Sequence, residues 1–242
     1  MMYEKWRMIG LMGKGKSYTA VLFDADGTLL DYKRSESYAL ENALVSLGLG
    51  SKSADYVSCY RAINKTLWDE LEKGRLSSGE LRVLRFEKLF SEIGVRADAQ
   101  AFSTVYLDFL SQTGFLLPHA ADVLEYLHRK YILILITNGF QEVQYSRLKE
   151  AGIFDYFDPV VISEEVGAKK PDEDFFSETF RRVKNVEKSA ALLVGDSLSS
   201  DILGGKRFGI DTCWYNPEGA TNDTEVLPTF EIRDLSELYS ML

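Results

Sequence analysis

Residues 18–28 read Tyr18-Thr19-Ala20-Val21-Leu22-Phe23-Asp24-Ala25-Asp26-Gly27-Thr28. The run Thr19–Phe23 does not alternate with charged residues, and it stops at two carboxylates and a glycine. A short apolar run of this kind fits a strand buried on both faces, as in a parallel sheet covered by helices. Four more follow: Tyr131–Ile136, Val160–Ile162, Ala190–Val194 and Thr212–Trp214. Helical patterns separate them. Leu124, Leu127 and the basic residues after them predict a helix opening at Pro118. Val143, Leu148 and Ala151 predict a second, closed by Gly152, and Phe175, Phe176, Phe180 and Val183 a third, begun near Pro171. Strand alternating with helix predicts an α/β fold built on a doubly wound parallel sheet.

One stretch breaks the alternation. Between about residues 35 and 114 only helical spacing is found. Tyr56, Tyr60, Ile63, Leu67 and Leu71 share one helix face; Leu81, Leu84, Leu89, Phe90 and Ile93 share another; Phe102, Val105, Tyr106 and Phe109 a third. The chain therefore divides into an irregular N-terminal extension over 1–17, an α/β core over 18–34 and 115–242, and an inserted all-helical cap over 35–114. The cap is expected to meet the sheet at the carboxyl ends of the strands, where open α/β sheets bind ligands.

Those ends carry the chemistry. The first strand delivers Asp24 and Asp26, the second Thr137-Asn138-Gly139, the third Lys169-Lys170-Pro171 after a short loop, and the fourth Asp196 with Asp201 beyond it. A single Asp after a strand is a common turn or helix-cap residue; four polar ends on one sheet edge are not explained that way. Asp24, Asp26 and Asp196 in proximity would repel one another unless a cation lay among them. The candidate ligands are all oxygens, and His119 and His128 are too few and wrongly placed for zinc, which points to Mg²⁺. Lys170 would add a second positive charge for phosphoryl oxygens, with Lys169 a solvated neighbour. Thr137 and the backbone around Asn138 and Gly139 would donate hydrogen bonds to the same oxygens.

Composition narrows the partner. A formal net charge of -9 over 242 residues argues against a nucleic-acid polymer, but not against a small phosphorylated metabolite. No apolar run approaches membrane-spanning length, and the N-terminus lacks the apolar centre of a signal peptide, so a cytoplasmic protein without a membrane partner is expected. Cys59 and Cys213 match no metal or redox spacing and are expected to be reduced thiols. Gly10, Gly15, Lys16 and Ser17 satisfy GxxxxGK[ST], yet a poor strand precedes them and a strand-like run, not a helix, follows. This is expected to be a chance match. Oligomeric state is open.

DADGT, ITNG, KKP and GDSLSSD, in this order, resemble the four motifs of the haloacid dehalogenase superfamily over Tyr18 to Leu242. The resemblance implies a Rossmann-like core with a helical cap. It makes Asp24 the nucleophile of an aspartyl-phosphate mechanism and Asp26 the general acid and base. Thr137 and Lys170 become phosphate-binding groups. Asp24, Asp196 and the Asp26 carbonyl become the Mg²⁺ ligands, with Asp201 orienting them or reaching the metal through water. Dehalogenases of the superfamily lack the second Asp of the first motif, so Asp26 favours phosphoryl transfer. AINKTLW (62–68), ILITNGF (134–140), FDPVVISEEVGAKKP (157–171) and the stretch 194–216 resemble the bacterial pyrimidine 5′-nucleotidases, some of which carry an acidic residue where this chain has Gly27. Phosphatases of phosphoglycolate or of sugar phosphates, including sialic acid 9-phosphate, share parts of these stretches, and a phosphomutase has the same four motifs. Asn64 and Trp68, four apart on one helix face, are candidate contacts to a base, with core packing as the alternative for Trp68; Tyr32 and Phe140 border the expected cleft.

Overall fold

The computed structural model describes residues 17–49 and 53–242. The extension over 1–16, and with it the GxxxxGKS match except Ser17, lies outside the described residues. Among the described residues the strands are β1 (Ala20–Asp24), β2 (Ile132–Thr137), β3 (Val160–Ile162), β4 (Ala191–Gly195), β5 (Asp211–Tyr215) and β6 (Phe230–Ile232). They form one parallel sheet in the order β3-β2-β1-β4-β5-β6. Each of the five apolar runs becomes a strand. The edge strand β6 has no apolar run to announce it: Phe230 is half-buried, Glu231 exposed and only Ile232 buried.

Val21 and Phe23 face one side of the sheet with Leu133, Leu135 and Val194, and meet Val123, Leu124 and Leu127 there. Ala20 and Leu22 face the other side with Ile134, Ile136 and Leu193, against Phe175, Phe176 and Phe208. Both faces are dry, so every position of a central strand must be apolar. Full burial of each large side chain contributes about 1.5–3 kcal/mol. Helices α1 (Tyr32–Ser46), α2 (Ser53–Glu72), α3 (Ser78–Glu92), α4 (Ala99–Ser111) and α5 (Ala120–Leu127) lie between β1 and β2 in the chain, and α6 (Gln141–Glu150) follows β2. Helix α7 (Ser163–Val166) leads from β3 towards Lys170, α8 (Glu173–Arg182) precedes β4, α9 (Leu203–Phe208) follows it after a π-turn, and α10 (Leu238–Met241) closes the chain.

Helices α1–α4 make a lobe with its own core. Phe86 stacks on Tyr60 at 5.5 Å between ring centroids and meets Phe102 edge-on at 5.0 Å. The lobe has one helix more than the three apolar stripes indicate. Helix α1 starts at Tyr32, capped by Asp31, whose carboxylate accepts from the Arg34 amide. Its buried stripe is Ala39, Leu40, Ala43 and Leu44, in which small alanines dilute the helical signal. Arg82 on α3 bridges to Glu142 and Glu164, and Phe140 and Val143 join the lobe core, so the lobe rests on the end of the sheet beside α6.

Candidate active site

The sheet register determines which residues meet. Asp24 is the partner of Ile136 on β2, and Val194 on β4 is the partner of Phe23. Asp24, Thr137 and Gly195-Asp196 therefore leave the sheet at nearly one level. Lys170 reaches Asp24 from the loop after α7. Its ammonium is 1% exposed and donates to Asp24 Oδ1, to Asp201 Oδ1 at 2.7 Å and to the Ile136 carbonyl at 3.2 Å. Burial opposes this charge, but Asp201 and then Asp24 outweigh it and hold the lysine above its ordinary pKa. Asn138, expected to offer backbone N–H groups to phosphate, lines the cavity, and its side chain is engaged on both sides with the Lys170 backbone, donating to the carbonyl and accepting from the amide at 2.9 Å each. A planar amide matches a peptide edge in this way, and it places the lysine. Lys169 does not reach the cavity wall.

Asp24, Asp196 and Asp201 bring carboxylate oxygens within 4.8 Å of one another. Asp201 is fixed from two sides, by Lys170 and by the Ser197 amide, which donates to Oδ2 at 3.1 Å. Trp214 Nε1 donates to the Asp196 carbonyl at 2.9 Å and fixes that turn. Burial, followed by the charge of Asp201, pushes the Asp196 carboxyl up to about 7, and burial with Asp201 and Asp196 raises Asp24 well above the usual range against the pull of Lys170. Crowded hard oxygens that resist ionisation are a donor set suited to a small divalent cation. The Asp26 side chain stands apart from this group, so only its backbone carbonyl remains for the same cation.

The Asp26 carboxylate turns to α6. Arg147 Nη1 donates to Oδ1, and Gln144 Nε2 donates to Oδ2 at 2.6 Å and to Thr137 Oγ1 at 2.9 Å. Neither residue was singled out in the sequence. A signal was present: Val143, Gln144, Arg147 and Leu148 lie on the buried face of α6, two of them polar among apolar neighbours. Such groups persist in a core only with partners.

Asp24, Asp26, Thr137, Lys170, Asp196 and Asp201 line a cavity of about 210 Å³ together with Tyr32, Trp68 and Glu72 of the helical lobe, with Gln144 and Arg147 behind its wall. Trp68 is half-buried, meets Phe140 at 5.8 Å and still reaches the wall. Asn64 does not. It is 3% exposed and donates to Tyr32 Oη at 3.2 Å and to Glu36 Oε1 at 3.1 Å, one layer behind Tyr32. Sharing a helix face with Trp68 was not enough, because α1 covers that part of α2. Phe140 is buried in the lobe core and is likewise off the wall. Cys59 and Cys213 are free thiols, and among the described residues no helix is long and apolar enough to cross a membrane.

A buried carboxylate held by a lysine and two further carboxylates line one cavity, an arrangement suited to hydrolytic chemistry. The model of the haloacid dehalogenase-like hydrolases matches residues 18–209, and the chain belongs to that family. It is 36% identical to the HAD-hydrolase YfnB of Bacillus subtilis, over 94% of this chain and 96% of that one. The solved YfnB structure, described as bound to magnesium and revealing interdomain movement, superposes with a TM-score of 0.89 over 94% of this chain and 99% of that one. The pyrimidine 5′-nucleotidases PynA of Streptococcus pneumoniae and YjjG of Escherichia coli are 38% and 32% identical, over 93% and 92% of this chain and 95% and 96% of theirs.

Proposed function

We propose that the protein is a Mg²⁺-dependent phosphomonoesterase that forms an aspartyl-phosphate on Asp24 and hydrolyses pyrimidine nucleoside 5′-monophosphates. The observation that carries the phosphatase reading is Asp26 on the wall of the same cavity as Asp24, since an alkoxide leaving group needs a proton donor and a halide does not. Asp24 attacks phosphorus as the bond to the leaving oxygen breaks, and that oxygen takes the Asp26 proton. The Asp26 carboxylate then removes a proton from water as the water oxygen attacks phosphorus, returning Asp24 and releasing phosphate. Lys170 offsets charge on the phosphoryl oxygens, and Thr137 donates to them from the neighbouring strand end. Asp24, Asp196 and the Asp26 carbonyl would hold Mg²⁺, whose charge lets a phosphate dianion approach a carboxylate.

We assign the lobe over 35–114 as a cap that excludes bulk water, with Trp68 and Tyr32 facing the leaving group. The nucleotide preference is supported by the PynA and YjjG relatives and by an aromatic surface on which a base could stack. The test is phosphate release from uridine, thymidine and cytidine 5′-monophosphates, phosphoglycolate and sugar phosphates, with and without Mg²⁺. Pyrimidine nucleotides should give the highest kcat/KM, and chelation should abolish turnover. Asp24→Asn should lower kcat by more than about 10³-fold and prevent trapping of the phosphoenzyme. Full turnover by that variant would refute the mechanism; a preference for another ester would refute only the substrate. Trp68→Ala should raise the nucleotide KM, and unchanged kinetics would remove Trp68 from the leaving-group site.

A further inference from the structure

We propose that Arg147 and Gln144 are positioning residues for Asp26, and that Gln144 locks the proton-transfer carboxylate to the phosphate-facing hydroxyl of Thr137. The inference rests on the reading of Asp26 as general acid and base. Arg147 is 1% exposed, and a guanidinium so buried is costly unless paired. Its partners are Asp26 Oδ1, Ser35 Oγ at 3.2 Å and Gln144 Oε1 at 3.3 Å. Gln144, also 1% exposed, gives its amide protons to Asp26 Oδ2 and Thr137 Oγ1. Each carboxylate oxygen of Asp26 thus has its own donor, which fixes the plane of the group. Each keeps further lone-pair capacity to carry or receive the transferred proton.

Room for this arrangement is built into the second strand end. A Cβ at Gly139 would lie 2.2 Å from Gln144 Nε2, so the glutamine reaches Asp26 only across a residue without a side chain. Ser35 on α1 adds the base of the helical lobe to the same network. Proton transfer demands a narrow alignment of acid, leaving oxygen and attacking water, and a freely rotating carboxylate would leave it most of the time. Phosphate binding by Lys170 and the metal ligands needs none of these contacts, and Thr137, which accepts from Gln144, keeps its own hydroxyl proton for the phosphate. The network should therefore act on kcat and not on KM.

The test compares Arg147→Met and Gln144→Met with wild type on two esters in saturating Mg²⁺. With uridine 5′-monophosphate, whose leaving alkoxide needs a proton, each variant should lose about 10–100-fold in kcat with KM within about 3-fold. With p-nitrophenyl phosphate, whose phenolate leaves unprotonated, the burst of phosphoenzyme formation should stay within about 3-fold. In an Asp26→Asn background neither substitution should have a further effect, and Arg147→Lys should recover part of the loss. Equal losses on both esters, additive losses in the Asp26→Asn background, or an unaltered kcat in Gln144→Met would overturn the proposal. Thermal melts check folding, and where Arg147→Met fails to fold, Gln144→Met decides alone. Full turnover by Asp26→Asn itself would refute the acid and base reading instead, a separate outcome.

Discussion

At position 27 a methyl group would end 2.5 Å from an Asp196 carboxylate oxygen, on a backbone with φ of 88°. Gly27 thus has two reasons to be glycine. The turn after Asp26 needs the left-handed region, and the Asp196 side chain occupies the space a Cβ would take. The strain costs about 1–2 kcal/mol. The displacement of Asp196 matters more for the site. Gly27→Ala should fold but bind Mg²⁺ about 10–100-fold more weakly, as changes around metal ligands do; calorimetric titration with Mg²⁺ measures this, and an unchanged Kd would mean that Asp196 is not held by this contact. From the sequence, Gly27 is a first-motif position at which some of the similar nucleotidases carry an acidic residue. Its contact with Asp196 spans β1 and β4, which is why no local reading reveals it.

Among the elements, the helical lobe and α6 differ most in how much of them the sequence discloses. The small alanines of α1 hide that helix, while the stripes of α2, α3 and α4 are apolar and regular, so these helices are legible. Phe86 lies at their centre, touching Tyr60, Phe102 and Tyr106 at 5.0–5.5 Å. Phe86→Ala should destabilise the protein by about 3–5 kcal/mol, since the surrounding rings cannot collapse into the space. Urea unfolding measures it, and a loss below about 1 kcal/mol would show that the lobe repacks freely. Helix α6 is legible as a helix but not as part of the site. Its apolar positions predict one buried face, while Gln144 and Arg147 on that face look like ordinary surface residues until Asp26 and Thr137 are placed against them. Asn64 shows the reverse. Its spacing from Trp68 is correct, but α1 covers it, and burial is decided by what packs on a helix, not by the helix itself.

For the molecule as a whole, the carboxylate cluster couples folding to pH and, with Mg²⁺ held there as proposed, to the metal. Without a cation, Asp196 titrates near 7, and Asp24 is raised as well. A raised folded-state pKa means that protons stabilise the fold. That contribution is complete below the unfolded Asp value, about 3.9, and is lost as pH rises through the folded value near 7. The metal-free protein should therefore lose stability between about pH 4 and pH 7. Were Mg²⁺ held by the ionised cluster as proposed, the Tm gained on adding it would grow over the same range. Scanning calorimetry at both pH values, with Mg²⁺ and with chelator, measures this. A Tm increment that did not change with pH would separate the cluster from the metal.

The sequence alone determined the sheet and which polar residues its strands bring to one edge. Unbroken apolar strands can be buried only between two helical layers, and a polar residue that ends such a strand must emerge at its carboxyl edge. Asp24, Asp26, Thr137 and Asp196 were placed at that edge for this reason, while Lys170 comes to it from the loop after α7. Tertiary structure alone decided how they are held: Asn138 on the Lys170 backbone, Arg147 and Gln144 on Asp26, Trp68 at the cavity and Asn64 behind it. These are contacts between residues distant in the chain, and their partners are chosen by register and by helix packing, neither of which has a period that can be read along one strand or one helix.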